Sequence, residues 1–489
     1  MAEKTTYEVH NFIDGEFVRG SSDEVKKDIN PANTEDVIAE YVPSTEQDAL
    51  RAVEAAQQAF SEWRKVPAPQ RGNYLFRVAD RLEERAEEFA HLIVREMGKR
   101  LIEAQKEVEY AINILRFYAG EGSRLNGKLI ASDHPDIQVQ LIKEPLGVVL
   151  AVTPWNFPLS IPTWKIAPAI VAGNTVALKP SSETPLVSVK LMEIFQEVQL
   201  PKGVVNAVVG PGRLVSKMIH HPAVQVITFT GSNRVGNLIY QEASKEMKRV
   251  QLEMGGKNPL IVLDDADLDL AVDLAIRGGY GQAGQACTAT SRVIVQSSIA
   301  EEFTRRLVEE VKKLKVGNGL DPDVDMGPQV SEAELSSTLE AIQQALSDGA
   351  TLLCGGDVPK TTETQHGFFV QPTVLGNVKP GTKIALEEVF GPVIAIMEVE
   401  TVEEAIELAN EVEYGLSSAV CTKSLARMNQ VVQGVESGLV KVNMTTTGTS
   451  FQAPFGGYKK SSNGVFKELG SEAMDIYTRT KTAYIHYTS

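Results

Sequence analysis

Cysteine is scarce in this chain: Cys287, Cys354 and Cys421 are the three in 489 residues. Their wide separation leaves neither a disulfide framework nor a CxxC metal knuckle. The seven histidines include no HExxH or similar cluster. His220 and His221 are adjacent, but adjacent positions do not share a helix face, so no metal is expected. Positive charge is also short, with 48 Lys and Arg against 64 Asp and Glu for a net charge of −16. That balance argues against nucleic acid or an anionic membrane as partner. Long hydrophobic runs are missing as well. Leu146–Val152 and Ile166–Ala172 fall far short of the roughly 20 apolar residues that cross a bilayer. The start, Met1-Ala2-Glu3-Lys4-Thr5-Thr6, has no apolar signal core, and a cytoplasmic location is expected.

What is present is an ordinary globular composition, 43% hydrophobic and 23% charged, with length for two or three domains and a large core. Phe12-Ile13-Asp14-Gly15-Glu16-Phe17-Val18 reads as a hairpin about an Asp-Gly turn. Ser44-Thr45-Glu46-Gln47 reads as a capping box from Ser44 to Gln47. Amphipathic helices follow over about 70–99 and 101–118. From Gly147 onward short apolar runs alternate with helical patterns: Val148–Val152, Thr175–Leu178, Val204–Val209, Val224–Phe229, Asn258–Leu263 and Ser291–Val295 read as strands. Such alternation implies right-handed parallel crossovers, a doubly wound sheet, and ligands at the strands' carboxyl ends.

Two stretches carry chemistry. Gln282-Ala283-Gly284-Gln285-Ala286-Cys287-Thr288 offers a thiol, and Gln251-Leu252-Glu253-Met254-Gly255-Gly256-Lys257 a carboxylate. Both lie among small residues that let a ligand approach the backbone. A deprotonated thiol is a strong nucleophile, and a nearby carboxylate can act as general base for it or for water. The turn Thr230-Gly231-Ser232-Asn233-Arg234-Val235-Gly236 joins a strand to a helix N-terminus. Free backbone N–H groups and the helix dipole suit that place to a pyrophosphate. A tight strand-to-helix connection explains it equally well.

Taken with Pro154-Trp155-Asn156-Phe157-Pro158, Glu388-Val389-Phe390-Gly391-Pro392 and Pro454-Phe455-Gly456-Gly457, these stretches resemble the NAD(P)-dependent aldehyde dehydrogenase superfamily over nearly the whole chain. The resemblance implies an α/β fold of two doubly wound parallel-sheet domains plus a small β oligomerisation arm. Residues 1–123 and 144–254 would form the dinucleotide-binding domain and 255–469 the catalytic domain. Residues 124–143 and 470–489 would form the arm, which implies a homodimer or homotetramer.

The same resemblance implies the roles. Cys287 attacks the aldehyde carbon, and Asn156 with the Cys287 N–H forms the oxyanion hole, where one donor is worth about 2.7–4 kcal/mol. Glu253 activates the hydrolytic water. Lys165 is grouped with these catalytic residues and, with Lys179, is expected to hold the cofactor ribose and related groups. Ser232 would take the pyrophosphate and Glu388 the nicotinamide ribose, with Phe390 walling the nicotinamide. Trp155, Ser182, Gly212, Gly231 and Gly255 complete the expected cofactor site. Arg292, Cys354 and Cys421 are expected to be structural.

Glu253 favours hydrolysis over transfer to coenzyme A, and Cys287, Glu253 and Asn156 together disfavour a non-enzymatic relative. The texture looks most like dehydrogenases of 2,5-dioxopentanoate and related semialdehydes. Yet two positions that often carry arginine for a substrate carboxylate hold Trp164 and Gly281, which leaves neutral aldehydes open. Lys179-Pro180-Ser181-Ser182 lacks the glutamate that NAD-preferring relatives place at the fourth position. Dual use of NADP and NAD is expected, unless Glu183 turns inward.

Overall fold

The computed structural model describes residues 6–487. Its first seven-stranded sheet runs in the order Arg249–Glu253, Val224–Thr230, Val148–Val152, Thr175–Lys179, Val205–Ala207. These five strands are parallel, and the hairpin Asn11–Ile13 with Glu16–Val18 adds an antiparallel edge. Strands 148–152 and 175–179 are buried at every position, as unbroken apolar runs require when helices cover both faces. The hairpin turn has Asp14 and Gly15 at φ 52° and 77°, the left-handed pair that a two-residue turn demands.

The second seven-stranded sheet runs Thr351–Cys354, Thr373–Gly376, Val393–Val399, Thr290–Gln296, Asn258–Val262, Ser417–Cys421, Leu439–Val442. Only its first pair is antiparallel. Arg292 is fully buried there, donating to the carbonyls of Lys257, Leu408 and Ala409 at 3.1, 3.0 and 3.0 Å. It ties sheet to helix, the structural role expected of it. Cys421 packs in the same core and Cys354 against it.

Two local expectations need correction, and one pair of strands was not anticipated. The helix Glu46–Trp63 is capped one residue later than expected, by Thr45, whose N–H donates to Asp48 at 2.9 Å. Asp48 also accepts from the backbone and hydroxyl of Ser21, so a shorter carboxylate serves two segments where Gln47 would serve one. The helical stretch expected over 70–99 breaks at Arg85 into Ala68–Glu84 and Ala86–Met97. Residues 26–41 also form strands, Lys26–Asn30 against Asn33–Tyr41, which pairs in turn with Tyr7–Val9.

A separate antiparallel sheet joins Thr478–His486, Ile137–Pro145 and Lys128–Ile130. Leu129 and Tyr484 on it are 72% and 73% exposed, so this ribbon leaves apolar surface uncovered.

Register in the first sheet positions the site. Val152 lies beside Lys179 on one side and Phe229 on the other, and Thr230 lies beside Glu253. The carboxyl ends of four adjacent strands are therefore level. The segments bearing Asn156, Lys179, Ser232 and Glu253 all leave from that one edge.

Candidate active site

Cys287 follows a strained turn. Gln282, Ala283 and Gly284 take φ of 51°, 55° and 72° in succession, and a non-glycine residue in that region costs roughly 1–2 kcal/mol. Contacts from outside hold it there. Glu103 accepts the Gln282 N–H at 3.0 Å, and Gln329 donates to the Ala283 carbonyl at 3.1 Å. Gly284 admits no side chain, since a Cβ would fall 2.2 Å from the Gly391 carbonyl oxygen. Beyond the turn, Asn258 fixes the Cys287 carbonyl at 2.8 Å.

The thiol opens on a cavity of about 320 Å³, walled by Phe157, Ile161, Trp164 and Phe455 with Thr230 and Thr288. Burial, followed by the charges of Glu388, Glu253 and Glu468, pushes the thiol well above the usual range. The thiol is therefore protonated at neutral pH. Asn156 is buried, and its amide donates to the Gln285 carbonyl at 3.0 Å. That contact ties the amide to the turn carrying the thiol.

Glu253 ends its strand inside the protein, 1% exposed. Its carboxylate accepts the Gly457 N–H at 3.3 Å and the Gln251 amide at 3.4 Å. Burial and then the charge of Glu468 raise it well above the carboxylate range, while Lys467 and Lys165 pull the other way. Lys165 turns its ammonium into the protein, toward buried polar groups. Its ammonium pairs with Glu468 and donates to Thr228 at 2.9 Å and Gln251 at 3.5 Å. Burial lowers its pKa, with Glu468 opposing. The expectation that Lys165 holds a ribose therefore gives way to an internal Lys165–Glu468–Glu253 network.

The residues expected on the cofactor side form a second group. Trp155 and Phe390 meet edge to face at 5.3 Å. Glu388 accepts the Gly256 N–H at 3.0 Å, and a Cβ on Gly255 would lie 1.8 Å from its carboxylate; Gly255 is there to make room. Burial pushes Lys179 down to about 8, with Glu183 as its one opposing charge, and no described residue hydrogen-bonds its ammonium. Ser232 caps the helix Asn233–Ser244. The Thr230 hydroxyl is buried without a partner among the described residues. A helix N-terminus and an unspent buried cation at one sheet edge suit a phosphorylated dinucleotide.

Three expectations change in detail. The Gly231 N–H is not free, because it donates to the Glu253 carbonyl at 3.1 Å. The Ser182 hydroxyl donates to the Gly210 carbonyl at 2.9 Å, so its one hydrogen is spent away from any phosphate. Gly212 faces open space, with no atom within 4 Å of where a Cβ would stand, and makes no hydrogen bond to the other expected residues. Among the described residues no group of three or more His, Cys, Asp or Glu could hold a metal, and no helix is long and apolar enough to cross a membrane.

Residues 17–483 match the aldehyde dehydrogenase family. The chain belongs to that family. It is 45% identical over 486 residues to the alpha-ketoglutaric semialdehyde dehydrogenase of Bacillus subtilis (strain 168), covering 99% of each chain. It is 42% identical over 471 residues to the 2,5-dioxopentanoate dehydrogenase of Saccharolobus solfataricus, covering 96% of this chain and 97% of that one. Among solved structures, betaine aldehyde dehydrogenase from Staphylococcus aureus in complex with NAD+ superposes with a TM-score of 0.95 at 38% identity, covering 98% and 95%. The enzyme class is thus an aldehyde dehydrogenase using a nicotinamide dinucleotide.

Several residues that shape this aldehyde dehydrogenase site had no counterpart in the sequence reading. Glu468 follows Lys467 in a loop and shows no pattern at all. Thr228 and Gln251 did carry a signal, because each is a polar residue inside an apolar strand run, and the register places them side by side. Lys441 donates to the carbonyls of Thr446 at 2.9 Å and Thr447 at 2.7 Å, and to that of Gly448. It thereby fixes the loop whose Thr447, Gly448 and Thr449 line the cavity.

Proposed function

We propose that this aldehyde dehydrogenase oxidises a small semialdehyde bearing a carboxylate, of the 2,5-dioxopentanoate or succinate semialdehyde kind, to the free acid. The observation that carries the hydrolytic part is Glu253, buried at a strand end with its basicity raised. Cys287 attacks the aldehyde carbon and forms a C–S bond while the thiol proton passes to a base. Asn156 and the Cys287 N–H then receive the charge on oxygen. Hydride loss converts the thiohemiacetal to a thioester, and a bound nicotinamide dinucleotide supplies the acceptor. Glu253 takes a proton from water as it attacks the thioester, and its raised pKa brings it nearer the working pH of a general base. Lys165 and Glu468 behind it offer that proton an onward path. Names of relatives at 45% and 42% identity support the substrate class. Turnover of 2,5-dioxopentanoate, succinate semialdehyde, propanal and benzaldehyde, compared by kcat/KM, tests it; equal or better use of propanal overturns it.

Cofactor use divides between two opposed features. No carboxylate stands at Ser182 to repel a 2′-phosphate, which admits NADP. Glu183, however, bears on Lys179 and offsets part of the cation that would welcome the phosphate. Both cofactors are therefore expected to work, with kcat/KM within about tenfold of each other. Ser182→Glu should cost NADP use at least about tenfold and spare NAD, by charge repulsion in a partly dry site. Unchanged NADP kinetics in that variant would remove the argument.

The division proposed is dinucleotide-binding residues 1–123 and 144–254, catalytic residues 255–469 and an arm of 124–143 and 470–489; two seven-stranded sheets and a separate three-stranded one support it. The exposed arm sheet is proposed to pair between subunits of a homodimer or homotetramer. Lys481–His486 lie in register with Ile137–Ile142, so truncation after Thr480 strips that strand of its partner and exposes an edge. Light scattering should then report smaller species. An unaltered assembly would count against the arm.

A further inference from the structure

The cavity leading to Cys287 has charge at its rim, and nearly all of it is already spent. Four acidic or basic side chains line it: Glu103, Lys106, Glu107 and Arg277. Glu107 is fully enclosed, pairing with Lys99 at 2.6 Å and accepting the Leu159 and Ser160 N–H groups at 2.9 and 3.1 Å. Glu103 accepts from the Arg100 N–H at 3.0 Å, its guanidinium at 3.1 Å and the Gln282 N–H at 3.0 Å. Arg277 is matched by Asp273, one turn back on its own helix, at 2.5 Å. Lys106 is different. It is exposed, and no described residue forms an ion pair or hydrogen bond with it.

Position reinforces the point. Lys106 shares the helix Leu101–Glu121 with Glu103, Glu107 and Tyr110, and all four face the cavity. Glu103 and Glu107, the acids beside it on the cavity wall, have their oxygens committed elsewhere, and Glu109, three positions on, is not part of that wall. Deeper in, the Trp164 indole N–H is buried on the cavity wall without a partner among the described residues. An unspent buried donor is costly unless a ligand oxygen uses it. The cavity thus offers an unpaired lysine at its mouth and two unspent donors on its wall, the Trp164 indole N–H and the Thr230 hydroxyl, the complement of an aldehyde with anionic and oxygen-bearing ends.

We infer that Lys106 is the specificity-determining residue for the substrate carboxylate, with Trp164 Nε1–H donating to a second substrate oxygen. This rests on the semialdehyde reading and supplies what the missing arginines at 164 and 281 leave open. A lysine is a flexible point charge and does not grip both carboxylate oxygens as arginine does. Its contribution is therefore in KM and in attraction at a distance.

The test compares native enzyme, Lys106→Met and Lys106→Arg on succinate semialdehyde and butanal, a charged and a neutral aldehyde of equal carbon number. In the native enzyme the charged substrate should be favoured, and raising salt should shrink that preference. Lys106→Met should lower the ratio of kcat/KM values about five- to tenfold, through KM for the charged substrate, and flatten its salt dependence. Lys106→Arg should restore the ratio. A native enzyme with no preference for the charged aldehyde overturns the semialdehyde reading itself. A native preference that survives intact in Lys106→Met overturns the role of Lys106 alone.

Discussion

Cys287→Ala is expected to abolish aldehyde oxidation, with kcat falling by roughly 10³-fold or more, while the affinity for the dinucleotide is retained. The loss is large because no second group can replace the sulfur. Cys354 and Cys421 sit against or within the core of the second sheet, and no other cysteine exists. Binding should survive because the residues expected to hold the cofactor are kept in place by other contacts: Glu388 on Gly256, Trp155 on Phe390, Ser232 on its own helix. Removing a sulfur from a half-buried position facing a cavity also disturbs little packing. Calorimetric titration with the dinucleotide and a progress curve in its presence check both halves. Retained turnover would end the thioester mechanism. Alkylation gives an independent reading of the same atom. Because burial and three carboxylates hold the thiol protonated, iodoacetamide should react slowly at neutral pH and faster as pH rises. The native protein would lose activity in step, and Cys287→Ala would take up no label at the site.

The part of this site that is legible in the sequence is the part that is local. The thiol in its Gly-rich turn, the carboxylate before Gly255-Gly256 and the strand-to-helix step at Ser232 are each fixed within a few residues, and the fold only levels them at one sheet edge. What escapes is non-local. Lys165 looks like a cofactor ligand until a carboxylate 303 positions away, Glu468, is brought onto it. No spacing encodes that meeting; it depends on the loop after 454 crossing the first sheet. Ser182 fails for a smaller reason. A hydroxyl has one hydrogen, and whether the Gly210 carbonyl or a phosphate receives it depends on a neighbouring strand. The helix start at Thr45 shows the same limit, since Asp48 was chosen by Ser21 as well as by its own helix. Lys106 is invisible for the opposite reason. An unpaired lysine on a helix is ordinary until the acids beside it on the cavity wall, Glu103 and Glu107, prove to be spoken for.

Glu253→Gln should slow release of the acid by roughly 10²–10³-fold, the usual worth of a positioned general base, and leave the first half of the reaction fast. Gln keeps the shape and can still meet the Gly457 N–H with its carbonyl oxygen, so Cys287 and Asn156 stay in place. The variant should give a burst of reduced dinucleotide close to one per active site, followed by a slow steady state, and acyl-enzyme should be visible by intact mass. The pH dependence follows from the sign of the shift. Glu253 is raised by burial and by Glu468, so it becomes protonated, and fails as a base, at a higher pH than an ordinary glutamate. Deacylation in the native enzyme should therefore fall as pH is lowered through that raised value, and the acidic limb should vanish in Glu253→Gln. Stability runs the other way. A carboxyl whose pKa is raised by folding favours the folded state most when protonated, and that advantage is lost as pH rises through the raised value. The Gln variant, which carries no charge to bury, should then melt no lower than native enzyme at pH 8. A variant that folds normally, shows no burst and loses its first turnover as well would move Glu253 from the water to the thiol, as the base that takes the proton of Cys287.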